Sequence, residues 1–366
     1  MREGQEGSPI HPPSSILLIP LTDPPSRDNV GHSVMTAHHQ YGRMIEAMRK
    51  AQRILMVSHR KPDGDTIGAT TAVAHWCANQ GKDITLFCAD VPPHLFHYLD
   101  QIHRYTNDPC VFDRAYDLVI VFDSGDLKYA GVDAYIPRIP GSYLLANIDH
   151  HKTNQFYGHM NIVEFISSTS EVIYRMFKAS SIPMDHAIAT SLLTGICWDT
   201  SNFSNPLTSV DAMEAASELT QLGARFNDIL SNLWYNKSTD VLKLWGLILS
   251  RLHYNPRYDV ASSYFLKEEL EQTSSELTEV IVNFLSAVVG EADTILLLKE
   301  MPNNVVRGSF RGNERDVSKI AKFLGGGGHK GASGFQVDGR LEITNDGHPR
   351  IVQDDRTIEP GFVTES

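Results

Sequence analysis

The sequence predicts an α/β protein in which a doubly wound parallel sheet is joined by a helix to a smaller α/β domain. Short apolar segments alternate with helical patterns from about residue 40 onward. This alternation is typical of parallel sheets whose strands are connected by helices. A length of 366 residues gives room for two domains of ordinary size.

The first domain is expected to contain four strands, at 54–57, 84–87, 118–122 and 143–148. An amphipathic helix containing Met44, Ile45 and Met48 precedes the first strand, and a second helix follows it. The stretch 169–234 reads as several helices, with breaks near Pro183, 202–206 and Gly223.

The second domain follows an amphipathic helix over 238–253, which Asn255 and Pro256 end. Strands are expected at 258–266, 294–299 and 305–310, and helices at 276–289 and 316–324. The predicted organisation is a loosely attached extension, a first α/β domain, a linker helix, a smaller α/β domain and a polar tail, over residues 1–37, 38–236, 237–256, 257–345 and 346–366.

Composition narrows the class of protein. No apolar run approaches the roughly 18 residues of a membrane span, so no membrane partner is expected. The four cysteines include no Cys-x-x-Cys pair, which favours free thiols in a reducing compartment such as the cytoplasm. A net charge of −12 argues against a surface that coats long nucleic acid, but it does not exclude a small phosphorylated ligand.

Four polar clusters carry the residues best suited to chemistry, and three directly follow an apolar segment. In chain order their candidates are His59, Asp63 and Asp65; Asp123; Asp149, His150 and His151; and Asp199. Three of the clusters alone have a plain structural alternative, a turn or a helix cap, whereas two histidines and an aspartate in a row at 149–151 are hard to explain by packing. Together they supply carboxylates and imidazoles at the carboxyl ends of strands, where ligands bind in open α/β sheets. This combination predicts a two-cation hydrolytic site.

A fifth cluster lies in the second domain, where four glycines precede two basic residues. Its candidates for holding a phosphate are Gly327, Gly328, His329 and Lys330. Just upstream, alternation along a strand places three more candidates on one face: Arg307, Ser309 and Arg311. A flexible linker is the alternative, but the cluster lies between a predicted helix and a strand-like segment.

These clusters resemble the motifs of the DHH phosphoesterases. The matching segments are His-x-x-x-Asp-Gly-Asp at 59–65, Asp-Ser-Gly-Asp at 123–126, Asp-His-His at 149–151 and Asp199. The run Gly-Gly-Gly-Gly-His at 325–329 resembles the signature of the associated DHHA1 domain. The order and spacing of these motifs resemble those of the family from about residue 38 to 340, and they are most similar to the NrnA-like subgroup. The resemblance implies hydrolysis of very short oligonucleotides and of 3′-phosphoadenosine 5′-phosphate (pAp).

The resemblance also implies roles for individual residues. One cation would be held by His59, Asp63 and Asp123. A second would be held by Asp65, Asp123, His150 and Asp199, with Asp123 bridging. His151 would face the scissile phosphate and Asp149 would orient the histidine pair. The ions would be Mn²⁺ first, with Mg²⁺ or Co²⁺ as alternatives.

Two positions depart from the family pattern: Gly312 stands where serine is usual, and Ser201 where glycine usually follows Asp-Thr. The principal alternative function is a cyclic-di-AMP phosphodiesterase, and one of another class is a non-catalytic nucleotide-binding module. A manganese-dependent pyrophosphatase would lack the glycine-rich loop, and a processive RecJ-type exonuclease would need further domains. The oligomeric state stays open, with a homodimer among the alternatives.

Overall fold

The structure is a computed structural model that describes residues 34–205, 207–235, 238–270, 275–328, 330–344, 347–353 and 356–358. The expected N-terminal extension therefore lies almost wholly outside the described residues, and so does His329. Among the described residues, no helix combines the length and apolar character needed to cross a membrane.

The first unit is built on one fully parallel six-stranded sheet. Its strands are β1 (Arg53–Val57), β2 (Asp83–Phe87), β3 (Tyr105–Thr106), β4 (Leu118–Phe122), β5 (Leu144–Asp149) and β6 (Met160–Val163). They lie in the order β3-β2-β1-β4-β5-β6, and every neighbouring pair is parallel. The order reverses at β1, so the predicted doubly wound parallel sheet is confirmed.

Both faces of this sheet are covered, one by six α-helices and the other by the short helix α3 (Leu127–Ala130) with 3₁₀ turns and loops. The six are α1 (Val34–Lys50), α2 (Gly64–Ala78), α4 (Thr169–Ala179), α5 (His186–Asp199), α6 (Val210–Gln221) and α7 (Phe226–Leu233). Central strand β4 is buried at all five positions because each face of the sheet is covered. Ile120 and Phe122 belong to the larger apolar core, whereas Val119 and Val121 belong to the smaller one.

The second unit contains a mixed six-stranded sheet and a small antiparallel one. The helices are α8 (Thr239–Ser250), α9 (Lys267–Leu270), α10 (Ser275–Val288) and α11 (Val317–Phe323). The strands of the mixed sheet are β7 (His253–Asn255), β8 (Val260–Phe265), β9 (Thr294–Met301), β10 (Val305–Gly312), β11 (Gly327–Gly328) and β12 (Ala332–Asp338). They lie in the order β11-β12-β10-β9-β8-β7. Ile248 of α8 packs into a core of this unit with Leu285 and Leu297.

The end of the described chain is more ordered than the sequence suggests. We expected a polar tail from residue 346, yet the structure has an antiparallel sheet of β13 (Arg340–Ile343), β14 (Pro349–Gln353) and β15 (Arg356–Ile358). Ile351 on β14 is 2% exposed and joins the core that contains Leu341. These strands alternate over too few residues, between polar neighbours, to give a clear period in the sequence.

Helices α2 and α5 approach each other very closely, and two glycines permit this. A Cβ atom on Gly68 would collide with the backbone oxygen of Ser191 and lie 3.0 Å from the backbone nitrogen of Gly195. A Cβ atom on Gly195 would in turn lie 2.6 Å from Asp65 Oδ1. Helix α2 carries Asp65 and helix α5 ends at Asp199, so this contact sets the separation of two candidate site residues.

Substituting Gly68→Ala should therefore destabilise the first unit, because the obstructing atoms are backbone and cannot rotate away. We expect the free energy of unfolding in urea to fall by about 1–3 kcal/mol. Gly42→Ala is the matched control, since Gly42 lies in α1 and a Cβ atom there would meet nothing within 4 Å. That variant should gain about 0.5–1 kcal/mol from helix propensity. Equal stability of the two variants would contradict the close contact.

Candidate metal centre

The predicted site residues of the first unit converge at one edge of the parallel sheet. His59, Asp123 and Asp149 stand at the carboxyl ends of three neighbouring strands, β1, β4 and β5. Asp65 lies in the first turn of α2, and Asp199 is the last residue of α5. Clusters that are far apart in sequence thus share one place, because carboxyl ends of parallel strands meet on the same side of a sheet.

The candidate ligand atoms form three overlapping groups, each with its atoms within 4.8 Å of one another. The groups are His59, Asp63 and Asp123; Asp65, His150 and Asp199; and Asp123, His150 and His151. Asp123 and His150 each belong to two groups, so the groups are joined rather than separate. An arrangement with a shared carboxylate suits a pair of neighbouring divalent cations.

Two histidines are oriented by backbone carbonyl groups. His59 Nδ1 donates to the carbonyl of Arg60 at 2.7 Å, and His150 Nδ1 donates to that of Ile166 at 3.1 Å. In a neutral ring this leaves the Nε2 lone pair available. His59 Nε2 lies 3.3 Å from Asp123 Oδ2, and His150 Nε2 lies 3.2 Å from Asp199 Oδ2. This orientation fits imidazoles that bind a cation through Nε2.

Asp123 lies at the centre of the cluster and in a backbone conformation that is unusual for aspartate. Its φ is 54°, in the left-handed region, and it turns the chain sharply at the end of β4. Only 2% of the residue is exposed. Besides the histidines, its Oδ1 accepts a hydrogen bond from Thr169 Oγ1 at 2.9 Å.

Asp65 is held by the N-terminus of helix α4. Its Oδ2 accepts from the backbone N–H of Thr169 at 2.6 Å, and its Oδ1 accepts from that of Ser170 at 2.8 Å. These N–H groups have no partner within the helix, and the positive end of the helix dipole favours a carboxylate there. Asp63 has a related role, because its Oδ1 caps α2 by accepting from the N–H groups of Asp65 and Thr66.

Asp149 is fully buried and hydrogen-bonds to both histidines, to the backbone of His150 and to the ring of His151. Its Oδ1 accepts from the backbone N–H of His150 at 2.8 Å and from His151 Nδ1 at 2.7 Å. Its Oδ2 accepts from Asn154 Nδ2 at 2.5 Å. The side chain of His151 is 22% exposed, compared with 4% for His59, so His151 is the more accessible of the two to a substrate.

The crowding of these carboxylates shifts their pKa values strongly. Burial, with the nearby charge of Asp123, raises the pKa of Asp65 to about 7. Burial and the charges of Asp65 and Asp63 raise the pKa of Asp199 well above its ordinary range. Burial opposes ionisation of Asp123 too, but the neighbouring histidines outweigh it and lower the pKa of Asp123.

The same carboxylates also shift the pKa values of two histidines. Burial alone would lower the pKa of His151, but its hydrogen bond to Asp149 and the charge of Asp123 raise that pKa to about 9. For His59 the carboxylates Asp123 and Asp63 likewise overcome burial and raise the pKa. The cluster therefore combines excess negative charge with imidazoles, a donor set that suits Mn²⁺, Co²⁺ or Zn²⁺.

The chain reverses abruptly after Asp199. Ser201, Asn202 and Phe203 follow one another with φ values of 49°, 57° and 63°, all in the left-handed region. Asn205 Nδ2 then donates to the backbone oxygen of Asp199 at 2.7 Å. This reversal ties the end of α5 to the loop that follows it.

The predicted substrate residues of the second unit share one face of β10. Arg307, Ser309 and Arg311 alternate with the buried residues Val306, Gly308 and Phe310, which agrees with the predicted face. Arg307 Nε donates to Gln336 at 3.0 Å, and Arg311 Nε donates to Asn283 of α10 at 2.8 Å. In the neighbouring strands, Lys299 lies opposite Arg307 and Gly334 lies opposite Ser309.

The glycine-rich run has packing roles in the described structure. Gly325, with φ of 77°, follows α11, and Gly326 lies so close to Gly334 and Phe335 that a Cβ atom would collide with their backbone. Gly327 and Gly328 pair with β12 as strand β11. Anion binding by Gly327, Gly328 and the exposed Lys330 remains a prediction. Gly312 is explained locally, because a Cβ atom there would lie 2.7 Å from Arg315 O and from Val317 Cγ1.

Three residues of the site did not emerge from the sequence: Thr169, Asn154 and Tyr129. The ring of Tyr129 lies 5.2 Å from that of His59, and the residue is 52% exposed. Two signals were present. Asn154 ends the polar cluster at 147–154, although no role was predicted for it, and Ser168-x-x-Glu171 has the form of a capping box, which marks a helix N-terminus. Nothing in the sequence marks Tyr129.

Comparison with known proteins agrees with this fold. Residues 53–196 match the DHH family, N-terminal domain. The bifunctional oligoribonuclease and PAP phosphatase NrnA of Thermus thermophilus is 25% identical over 300 residues, which cover 81% of this chain and 88% of that protein. NrnA of Bacillus subtilis is 25% identical over 301 residues, covering 80% and 92%.

A solved structure supports the fold over most of the chain. The crystal structure of an exopolyphosphatase-related protein from Bacteroides fragilis superposes with a TM-score of 0.74 at 23% identity. The match covers 81% of this chain and 90% of that one. The chain is thus similar to the DHH family, N-terminal domain, over residues 53–196, and to the NrnA proteins over about four fifths of its length.

Proposed function

We propose that this protein is a divalent-cation-dependent phosphoesterase that hydrolyses short oligonucleotides and pAp. The observation that carries the proposal is the sharing of Asp123 and His150 between groups of candidate ligands within 4.8 Å of one another. A single structural cation would not require such joined groups. The similarity to NrnA proteins, whose names give oligoribonuclease and PAP phosphatase activities, supports the choice of substrate.

Two sets of residues would hold the cations: His59, Asp63 and Asp123 for one, and Asp65, Asp123, His150 and Asp199 for the other. When bound, a cation pair supplies positive charge to the phosphate and lowers the pKa of water for attack. Asp123, being common to both sets, would fix their spacing.

The other residues of the site would act directly on the substrate or through a neighbour. Asp149 holds a proton on His151 Nδ1, which leaves Nε2 to contact a phosphate oxygen. His151, with its pKa raised to about 9, would keep a proton at Nε2 and donate it to the oxygen that leaves. Asn154, by donating to Asp149, keeps that carboxylate aligned.

The cationic face of β10 is proposed to select the substrate. Arg307 and Arg311 lie on one side of the strand with Ser309 between them, and Lys299 on β9 adds a third positive charge to the same face. Arginine forms paired hydrogen bonds to phosphate. A short nucleotide needs only this local patch, whereas a long strand would need an extended basic track.

The alternative activities differ in substrate, so a rate comparison separates them. Initial rates on pAp, a linear dinucleotide and cyclic-di-AMP should favour the first two. Preference for cyclic-di-AMP would replace the proposal with a cyclic-dinucleotide phosphodiesterase. Binding without turnover of any of the three, in the presence of Mn²⁺, would indicate a nucleotide-binding module.

Activity should depend on added metal. After treatment with a chelator and its removal, the protein should be inactive, and Mn²⁺ should restore the rate better than Mg²⁺ because imidazoles lie among the carboxylates. The measurement is the initial rate on pAp across a titration of each ion. Full activity in excess chelator would be incompatible with the proposal.

Asp123→Asn should reduce kcat by several orders of magnitude, because both proposed cations lose the charge of a shared ligand. Asp83→Asn is the matched control, since Asp83 begins β2 at the other end of the sheet, where it pairs with Arg114. The control should keep wild-type kcat. If the Asp123→Asn variant retained a tenth of the wild-type kcat, the bridging role would be misassigned.

Arg311→Ala should raise KM for pAp and dinucleotides, with less effect on bis-p-nitrophenyl phosphate, which carries no nucleotide. Loss of one charge-assisted phosphate contact costs about 1.5–3 kcal/mol, or roughly tenfold to a hundredfold in KM. Arg350→Ala is the control, because Arg350 lies on β14 and pairs with Glu342. Equal losses on both kinds of substrate would show that Arg311 supports the fold instead.

A further inference from the structure

The first turn of α4 contacts two of the proposed metal ligands, although no polar cluster of the sequence includes it. The backbone N–H of Thr169 donates to Asp65, and the side-chain hydroxyl of the same residue donates to Asp123. Asp65 comes from α2 and Asp123 from the end of β4, so Thr169 connects carboxylates of two separate elements. Among the residues that the structure describes, Thr169 is the one that hydrogen-bonds to both of these carboxylates.

We propose that Thr169 is a positioning residue that fixes the distance between Asp65 and Asp123, and through it the spacing of the two cations. This inference rests on the proposed function. A threonine suits the task because its β-branched side chain has few χ1 conformations, so its hydroxyl is held rigidly relative to its own N–H. The two hydrogen bonds are therefore made from one stiff unit.

The surroundings of Thr169 keep that unit in place. Ser168 Oγ caps α4 by accepting from the N–H of Glu171 at 3.0 Å. The buried Glu171 carboxylate accepts from Ser167 Oγ and from Arg175 Nε, the latter at 3.0 Å. On the other side, Gly195 leaves the space that Ser170 and Asp65 occupy. The N-terminus of α4 is thus anchored on both sides.

Burial makes the hydroxyl bond to Asp123 consequential. Thr169 is 0% exposed and Asp123 is 2% exposed. A buried carboxylate that loses a donor is left with an unsatisfied oxygen, which can then turn toward other groups. Loss of a partner that orients a metal ligand typically weakens metal affinity or activity by about 10-fold to 100-fold.

A purely structural role would predict a different outcome. If the hydroxyl only satisfied buried polar atoms, its removal would lower stability while the remaining folded protein bound metal normally. If the hydroxyl positions Asp123, its removal weakens metal binding by more than a control substitution that lowers stability by a similar amount. Affinity measured directly, alongside stability, distinguishes the two.

The test compares Thr169→Val and Thr169→Ser with Thr71→Val. Thr71 is also fully buried, but its hydroxyl donates to the backbone carbonyl of Ile67 at 2.7 Å and to Ser191 Oγ of α5 at 3.1 Å. Its substitution therefore removes a buried hydroxyl without touching a carboxylate. For each full-length protein, isothermal titration calorimetry measures Mn²⁺ affinity, and thermal unfolding without metal measures stability. Thr169→Ala replaces the valine variant if the latter does not fold.

We expect Thr169→Val to bind Mn²⁺ about 10-fold to 100-fold more weakly than wild type and Thr71→Val to bind it about as well as wild type. Thr169→Ser should lie between them, because it keeps the hydroxyl but loses the β-branch that holds it rigidly. Affinity of Thr169→Val equal to that of Thr71→Val overturns the positioning role and leaves the proposed function intact. Absence of Mn²⁺ binding by the wild-type protein overturns the proposed function, and this inference with it.

Discussion

Mutual repulsion among buried carboxylates is the constraint on which the rest of this structure depends. Asp65 and Asp123 are almost fully buried, and Asp63 and Asp199 lie beside them. Burial and like charge together favour protonation, as the pKa of Asp65, raised to about 7, shows. A fold that keeps such groups together must supply donors and positive charge around them. Under the proposed function, bound cations would provide the largest part of that charge.

The protein supplies the remaining stabilisation through backbone groups and imidazoles. The N-terminus of α4 donates two N–H groups to Asp65, and backbone carbonyls hold His59 and His150 with Nε2 directed at the carboxylates. The close approach of α2 and α5 at Gly68 keeps Asp65 near the end of α5, where Asp199 lies. Backbone groups in helices and strands thus stabilise the buried carboxylates. Because these groups are already fixed, they need no reorganisation, which flexible side chains alone would need.

The fold and most of the candidate site could be predicted from the sequence. Long apolar strands such as β4 have a clear pattern, and carboxyl ends of parallel strands meet, which brings Asp123 near Asp149. Contacts made by tertiary packing could not be predicted. Thr169 lies 46 residues from Asp123, and no local pattern links them. Strands β13 and β14 are short and polar in part, so the pairing that buries Ile351 gives no period.

The reversal after Asp199 places a serine in a backbone conformation that costs free energy. In the DHH pattern that this sequence resembles, glycine usually stands at the position of Ser201, and the φ of 49° there is one that glycine adopts freely. Serine, followed by Asn202 and Phe203 in the same left-handed region, stores strain of about 1–2 kcal/mol per residue. Contacts of the loop, such as the hydrogen bond from Asn205 to the backbone oxygen of Asp199, must offset that strain. This chain therefore gives up some folding stability to hold the loop that follows Asp199.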